Sequence, residues 1–414
     1  MPDDLADQLR PITAEEWPRF LRSMYGVFGE EPTGRYVDTP SPVAELDRSL
    51  ALWDGDRVAA TAGLYSLELT VPGAVVPCAG VTWITVAPTH RRRGVLTAIM
   101  RRQLDEVRAA QREPVAALWA AESAIYGRFG YAPATWRGGW SGPTERLRLR
   151  RDADTGAGSV RPVEAEEFRA GAVGLHDRLR RWVPGNMARD ERWWDRLLLD
   201  EPESRHGWSA QQLLLHSEPD GTPTGYATYR RRQKWSDEGE PEGRIRVGEV
   251  RAATPAAYAA LWSYLLSLDL VRTVEAPSAS VDDPLRHLLH DARALHARPY
   301  DALWVRLVDV GPALSARRYP APLDMVFEVR DKFCPENSGR WHLRGHPAGA
   351  RCDRTDRDPD VVLGIEELSA VYLGGVSLAG LQAAGRVHEV SPGAVVQAST
   401  GFGWPIAPWC PDEF

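Results

Sequence analysis

Lysine is almost missing from this chain: only Lys234 and Lys332 occur, and the other 48 of the 50 basic residues are arginine. That is a bias in composition and carries no mechanistic content. Cysteine is sparse as well. Cys78, Cys334, Cys352 and Cys410 lie far apart, without a C-x-x-C pair or a His/Cys cluster, which argues against a zinc site and against a disulfide framework. They read as buried or incidental thiols. No apolar run approaches the roughly 20 residues of a membrane span, and residues 1–20 carry acids where a signal peptide carries bases. A cytoplasmic protein with no membrane span is expected. An excess of positive charge is also lacking: 57 acidic residues outnumber the basic ones and give a formal charge of −7. This speaks against a nucleic-acid partner and mildly favours a cationic small substrate. What is present is ordinary globular material, 414 residues with 43% hydrophobic and 26% charged, enough for about two to three domains.

Thr13 and Glu16 have capping-box spacing ahead of a helix-like run over 12–24. Residues 57–71 end in strict alternation, Pro72-Gly73 supplies a turn, and 74–78 returns. The run 81–86 (VTWITV) is β-branched and aromatic, as a buried central strand should be. Beyond an arginine-rich loop, Leu96, Ile99, Met100, Leu104 and Val107 form a stripe at helical spacing. Pro114 ends that helix, 115–119 reads as a strand and 123–129 as a short helix or turn. Strand, loop, helix and strand in this order predict a βαβ unit in an α/β (α+β) fold. A polar, Gly-rich stretch at 151–162 reads as a linker. The middle block repeats strands (212–215, 225–229, 244–250) and then a helix (256–268), but without an arginine-glycine loop between them. From about Asp309 strands are expected at 325–329, 340–343 and 361–365, with short helices at 365–372 and 378–384. The final FGWPIAPWCPDEF is unusually apolar for a chain end, so it should dock against the body of the protein.

The main chemical signal is V-A-P-T-H-R-R-R-G-V-L over 86–96. A turn of this kind at a helix start presents backbone N–H groups and the positive end of the helix to an anion. Gly94 permits close backbone approach and the arginines can neutralise phosphate. The plainer alternative is a solvated basic run. No Gly-Lys-Ser/Thr follows, so it is not a Walker A loop, and the GxGxxG dinucleotide pattern is absent.

The segment Arg91-x-x-Gly94-x-Leu96 resembles the acetyl-CoA pyrophosphate loop of the GNAT N-acetyltransferase superfamily, with Leu96 where Gly or Ala is usual. Longer strings narrow this. VAPTHRRRGVL (86–96), PVAALWAAESAIYGRFGYAPAT (114–135), LWVRLVDV (303–310) and PWCPDEF (408–414) together resemble the Eis (enhanced intracellular survival) family of acetyltransferases. The resemblance implies tandem GNAT-like domains followed by a sterol-carrier-protein-like domain: 1–152 binding acetyl-CoA, 160–305 degenerate, and 306–414 ending in a functional carboxylate. It further implies a homohexamer that transfers acetyl from acetyl-CoA, without a metal, to amines such as aminoglycosides, and hence a part in antibiotic resistance.

Carried over by position, Ile84, Thr85 and Val86 would hold the pantetheine arm. Arg92, Arg93, Gly94, Val95, Leu96 and Thr97 would cradle the pyrophosphate. Ala121, Glu122 and Ser123 would lie beside the thioester. Tyr126 would be the general acid that returns a proton to the departing thiolate; a phenol with a reference pKa of about 10 stays protonated at neutral pH. Tyr131 is its nearest rival and reads as structural. The α-carboxylate of Phe414 would be the general base. Its reference pKa of about 3.3–3.7 suits attraction of a cationic amine better than proton removal, though burial would raise it. Tyr25, Phe28, Glu30 and Glu31 fall where the family builds one wall of its amine site, and an exposed acidic loop is the alternative for them. Two other functions stay open: acetylation of protein lysine or polyamines, and a ligand carrier with a vestigial acetyltransferase domain.

Overall fold

The computed structural model describes residues 2–414, with side chains from Leu5 onward. The chain divides into two compact units. One holds the residues up to Thr135, Ala302–Pro408 and Asp412–Phe414; the other holds Trp136–Asp301 and Trp409–Pro411.

The first unit contains two sheets. The larger has seven strands in the order Arg10–Pro11, Leu50–Asp54, Arg57–Val71, Ala74–Val86, Val115–Trp119, Leu303–Leu307 and Ala132–Pro133. Every pairing is antiparallel except Ala74–Val86 with Val115–Trp119, the parallel pair that the βαβ reading requires. Pro72-Gly73 makes the expected turn, with Gly73 at φ +68°. The return strand is one continuous element from Ala74 to Val86, however, where the sequence suggested two pieces. The crossover helix Val95–Ala110 buries Ile99, Met100, Leu104 and Val107, while Leu96 stays half-buried at the helix start. Gln111 at φ +53° ends that helix before Pro114 is reached.

The helix expected over 12–24 runs Trp17–Val27, and a shorter one, Pro2–Gln8, precedes it. Glu16 does accept from the Thr13 backbone N–H at 3.0 Å, but it also pairs with Arg10, and Pro18 starts the helix proper. The smaller sheet has the order Gly349–Arg354, Gly339–His346, Leu323–Arg330, Val361–Gly364 and Val387–Glu389. Helices Ile365–Val371 and Leu378–Ala383 fall where the sequence placed them.

The second unit has one seven-stranded sheet, ordered Arg298–Asp301, Trp136–Pro143, Val271–Ala276, Gly243–Ala252, Pro223–Arg232, Gln212–Ser217 and Ser159–Val163. Gly243–Ala252, the helix Pro255–Leu266 and the parallel strand Val271–Ala276 repeat the βαβ path of the first unit. Only Ala253 and Thr254 join that strand to that helix, and Thr254 caps it by accepting from the Ala257 N–H at 3.1 Å. A connector this short leaves no loop to wrap an anion.

Strands change places between the two large sheets. Trp136–Pro143 pairs with Val271–Ala276, whereas Leu303–Leu307, far along the chain, pairs with Val115–Trp119. The sequence intervals 1–152, 160–305 and 306–414 therefore do not coincide with the sheets in space. The final segment docks. Trp409 and Cys410 are buried, and the Trp409 N–H donates to the Pro184 carbonyl at 2.8 Å. Asn186 donates to the Trp409 carbonyl at 2.6 Å, and the Trp409 indole N–H donates to the Ser278 carbonyl, also at 2.6 Å. The four cysteines are buried, and none is in a disulfide.

Candidate active site

The site begins with a failure of strand pairing. Ala74–Val86 and Val115–Trp119 match only from Cys78–Val81 against Val115–Leu118. Beyond Val81 the strand bulges: its register against Arg57–Val71 shifts between Thr61 and Gly63, and Trp83 sits at φ +55°. A bulky residue there is strained by about 1–3 kcal/mol and persists only when its surroundings hold it. They do so here. The Trp83 ring meets Trp17, Phe20 and Tyr65 edge-on at 5.5, 5.9 and 5.2 Å. The Thr61 hydroxyl donates to the Trp83 carbonyl at 2.7 Å and lies 2.5 Å from the Thr85 hydroxyl. A Cβ at Gly63 would stand 2.7 Å from the Trp83 ring, so this position takes no side chain.

Past the bulge, the edge of Ile84–Val86 has no neighbouring strand on the Val115–Trp119 side among the described residues, and a cleft of about 430 Å³ opens there. At one end lies the loop from Ala87 to Gly94. Arg92 and Gly94 adopt φ of +61° and +85°, conformations that turn the backbone so that the first N–H groups of helix Val95–Ala110 face outward. The Arg91 side chain donates back to the Val86 carbonyl at 3.4 Å. Arg92 and Arg93 form no ion pair among the described residues, and so are available to an anion.

At the other end is Tyr126, closing the short helix Ser123–Tyr126. It is 8% exposed, and burial together with the nearby Glu122 carboxylate pushes its pKa up to about 12. The phenol therefore keeps its proton throughout the neutral range. Tyr131 packs edge-on against it at 6.3 Å, is fully buried, and has its pKa raised further still by desolvation. The turn after Tyr126 is set from below. Gly130, at φ +83°, lies over the Arg306 guanidinium, which is buried and pairs with Asp331 at 2.6 Å. Asn337 donates to the same Asp331 oxygen at 3.0 Å.

The cleft brings together Ile84, Thr85, Val86, Arg92, Gly94, Val95, Leu96, Thr97, Ala121, Glu122 and Tyr126. Arg93 and Ser123 are exposed and do not line it. Of the residues expected on the amine side, Phe28 lines the cleft and is 57% exposed, while Tyr25, Glu30 and Glu31 lie outside it. Sequence reasoning had not placed Val27, His90, Arg91, Ile125 or Arg128 on the lining. Of these, Arg91 and His90 sit in the quoted loop and Arg128 lies two residues past Tyr126. The terminal residues pack against the same large sheet. The Trp119 indole N–H donates to the Asp412 carbonyl at 2.9 Å, and the Phe414 ring stands edge-on to Tyr65 at 6.3 Å. A Cβ at Gly80 would clash with the Leu67 side chain and stand 3.2 Å from that ring, so this position of the strand takes no side chain.

An open strand edge, a helix start with three adjacent arginines and a buried protonated phenol fit a ligand with an amide-bearing arm, a diphosphate and a leaving group that needs a proton. This is the arrangement of an acyltransferase that uses a coenzyme A thioester. The sequence matches an acetyltransferase (GNAT) domain over residues 8–134, another over 185–307, and a sterol carrier protein domain over 310–411. An uncharacterized N-acetyltransferase of Streptomyces avermitilis is 42% identical over 412 residues, covering 99% of this chain and all of the relative. The N-acetyltransferase Eis of Mycobacterium tuberculosis is 37% identical over 342 residues, 81% of this chain and 80% of the relative. The crystal structure of Eis1 from Mycobacterium abscessus superposes with a TM-score of 0.83 at 33% identity, covering 98% of this chain and all of that one. The chain belongs to the Eis family of GNAT acetyltransferases and is an acetyl-CoA-dependent N-acetyltransferase.

Proposed function

We propose that the protein acetylates primary amines, aminoglycosides among them at one or several positions, by direct transfer while both substrates are bound. Acetyl-CoA supplies the acetyl group as an activated thioester. The observation that carries this reading is the unpaired edge of Ile84–Val86, which runs from the Arg92–Gly94 helix start to the buried Tyr126 within one cleft. Backbone groups of Ile84–Val86 hold the pantetheine arm in place of a strand, with Ala121 and Glu122 along its opposite side and Ser123 next to them outside the cleft. N–H groups from Gly94 to Thr97, with Arg92, hold the pyrophosphate, and Arg93, outside the cleft lining, adds only its charge. This fixes the thioester before attack, a contribution of positioning. Tyr126 Oη, protonated at neutral pH, donates to the departing thiolate. The Phe414 carboxylate attracts the cationic amine and accepts its proton. Phe28 forms part of the amine wall; Tyr25, Glu30 and Glu31 belong to the surrounding surface.

The second GNAT-like domain is assigned no cofactor, a reading supported by its two-residue strand-to-helix connector. A cytoplasmic homohexamer and a role in antibiotic resistance are carried over from the family, and light scattering giving a monomer would remove the first. CoA release measured across aminoglycosides, polyamines and lysine peptides tests the substrate class. The reading expects turnover with aminoglycosides. Turnover with polyamines or lysine peptides alone would replace it by the narrower acetyltransferase.

A further inference from the structure

The second unit keeps the strand fork that opens the cleft of the first, without the loop at its end. Gly243–Ala252 pairs with Val271–Ala276 only from Gly243–Arg246 against Val271–Glu275. Just beyond, Gly248 has no opposite residue, because the register against Pro223–Arg232 shifts between Thr228 and Tyr229. Among the described residues, Val247–Ala252 has no neighbouring strand on the Val271–Ala276 side. Bulge and open edge repeat those at Trp83 and Ile84–Val86. Such an edge leaves backbone groups and apolar surface in need of a partner.

Here the partner comes from the chain's own end. The Trp409 ring lies against the Arg251 guanidinium, 4.6 Å away, on the open part of one strand. Its indole N–H donates at 2.6 Å to the carbonyl of Ser278, two residues past the end of the other strand. The indole therefore stands where the two strands part. Its footing is buried and fully charge-paired. Arg251 bonds Glu249 at 2.7 Å, Arg189 pairs with Glu249 at 3.0 Å, and Arg251 also donates to the Asn186 carboxamide, which holds the Trp409 carbonyl. Pro408 and Pro411 restrict the backbone on either side of Trp409-Cys410. Fixing the indole thus also fixes the direction in which the last residues leave. Those residues, 411–414, lie in no helix or strand, and an end of that kind frays unless it is tied down. Phe414 is five residues from the anchor, a reach of at most about 17 Å.

We infer that Trp409, seated in the unused fork of the second sheet, is the positioning residue that aims the Phe414 carboxylate during acetyl transfer. This rests on the carboxylate role proposed above. The domain without a cofactor loop keeps its fork as a socket for the tail.

The test is steady-state CoA release by the full chain, using whichever amine wild type turns over fastest among aminoglycosides, polyamines and lysine peptides. Trp409→Gly should lower kcat at least tenfold and leave the KM for acetyl-CoA within twofold. Lengthening the chain past Phe414 moves or removes the group being aimed. Adding Trp409→Gly to the lengthened chain should therefore cost less than a further twofold. Trp409→Phe keeps a ring against Arg251 but loses the bond to Ser278. It should lower kcat about threefold and be equally silent in the lengthened chain, so the inference can be read even where the glycine variant does not fold. Wild-type kcat in both Trp409 variants overturns the inference. So does a loss repeated in full in the lengthened chain, because Trp409 would then act on something other than the carboxylate. Wild-type turnover in the lengthened chain alone removes the carboxylate role, and this inference with it. A loss there without one in the Trp409 variants removes the inference and leaves the carboxylate role standing.

Discussion

Thr61→Val is a perturbation whose size follows from the structure. Thr61 is fully buried, and valine nearly matches its shape, so the change removes a hydroxyl and little packing. Two interactions disappear: the 2.7 Å bond to the Trp83 carbonyl and the 2.5 Å contact with the Thr85 hydroxyl. The buried groups left without a partner cost about 1–3 kcal/mol. That equals the strain of holding Trp83 at φ +55°, so the balance that keeps the bulge is lost or nearly lost. The bulge orients the edge of Ile84–Val86, so acetyl-CoA should bind about 5- to 100-fold more weakly. The melting temperature should fall by about 2–10 °C. Thr61→Ser, which restores the hydroxyl, should recover most of the affinity. The assay is acetyl-CoA titration at a temperature well below both transitions. A Val variant that melts earlier yet binds acetyl-CoA within twofold of wild type would refute the reasoning: the threonine pair would then stabilise the sheet without shaping the cleft.

Three further expectations follow from the same geometry. Replacing Arg92 and Arg93 together by alanine should raise the KM for acetyl-CoA about tenfold or more while kcat changes little, because the loss is of ground-state binding; unchanged KM would reject the loop assignment. Extending the chain beyond Phe414 should lower turnover strongly by moving or removing the carboxylate, and wild-type rates in the extended protein would discard that role. The Tyr126 pKa, raised to about 12 by burial, places its ionisation well above that of a free phenol. Turnover should therefore show no loss through this group between pH about 8 and about 10, whereas a descending limb near pH 10 would contradict the assignment. The stability sign agrees: the folded state keeps the proton longer than the unfolded state, so Tyr126 weakens folding only as pH rises from about 10 toward about 12.

Much of this was legible in the sequence, and the reasons are local. The alternation through 57–71, the Pro72-Gly73 turn and the stripe from Ile99 to Val107 are decided by neighbours a few residues away, and all formed as read. The loop before helix Val95–Ala110 could be read as a loop because its glycine, at φ +85°, opens the helix. Three features escaped because they depend on distant parts of the chain. Nothing within 136–143 or 303–307 says that their pairing partners are Val271–Ala276 and Val115–Trp119, more than a hundred residues away in the chain. Trp83 looks like an ordinary strand residue until Trp17, Phe20, Tyr65 and Thr61 gather around it. Arg306 reads as a lone charge in an apolar strand, and only the fold supplies Asp331 and the overlying Gly130. On the amine side the outcome is mixed. Val27 and Phe28, at the end of helix Trp17–Val27, line the cleft, whereas Glu30 and Glu31 do not.

The central claim is that a cofactor held along Ile84–Val86 presents its sulfur to the Tyr126 phenol. Its most direct measurement is Tyr126→Phe, with CoA release and acetyl-CoA affinity determined on the same preparation. Removing one oxygen should lower kcat by about 10²- to 10⁴-fold, the usual contribution of a general acid, and leave acetyl-CoA affinity within twofold. Turnover close to wild type in the phenylalanine variant would contradict the account.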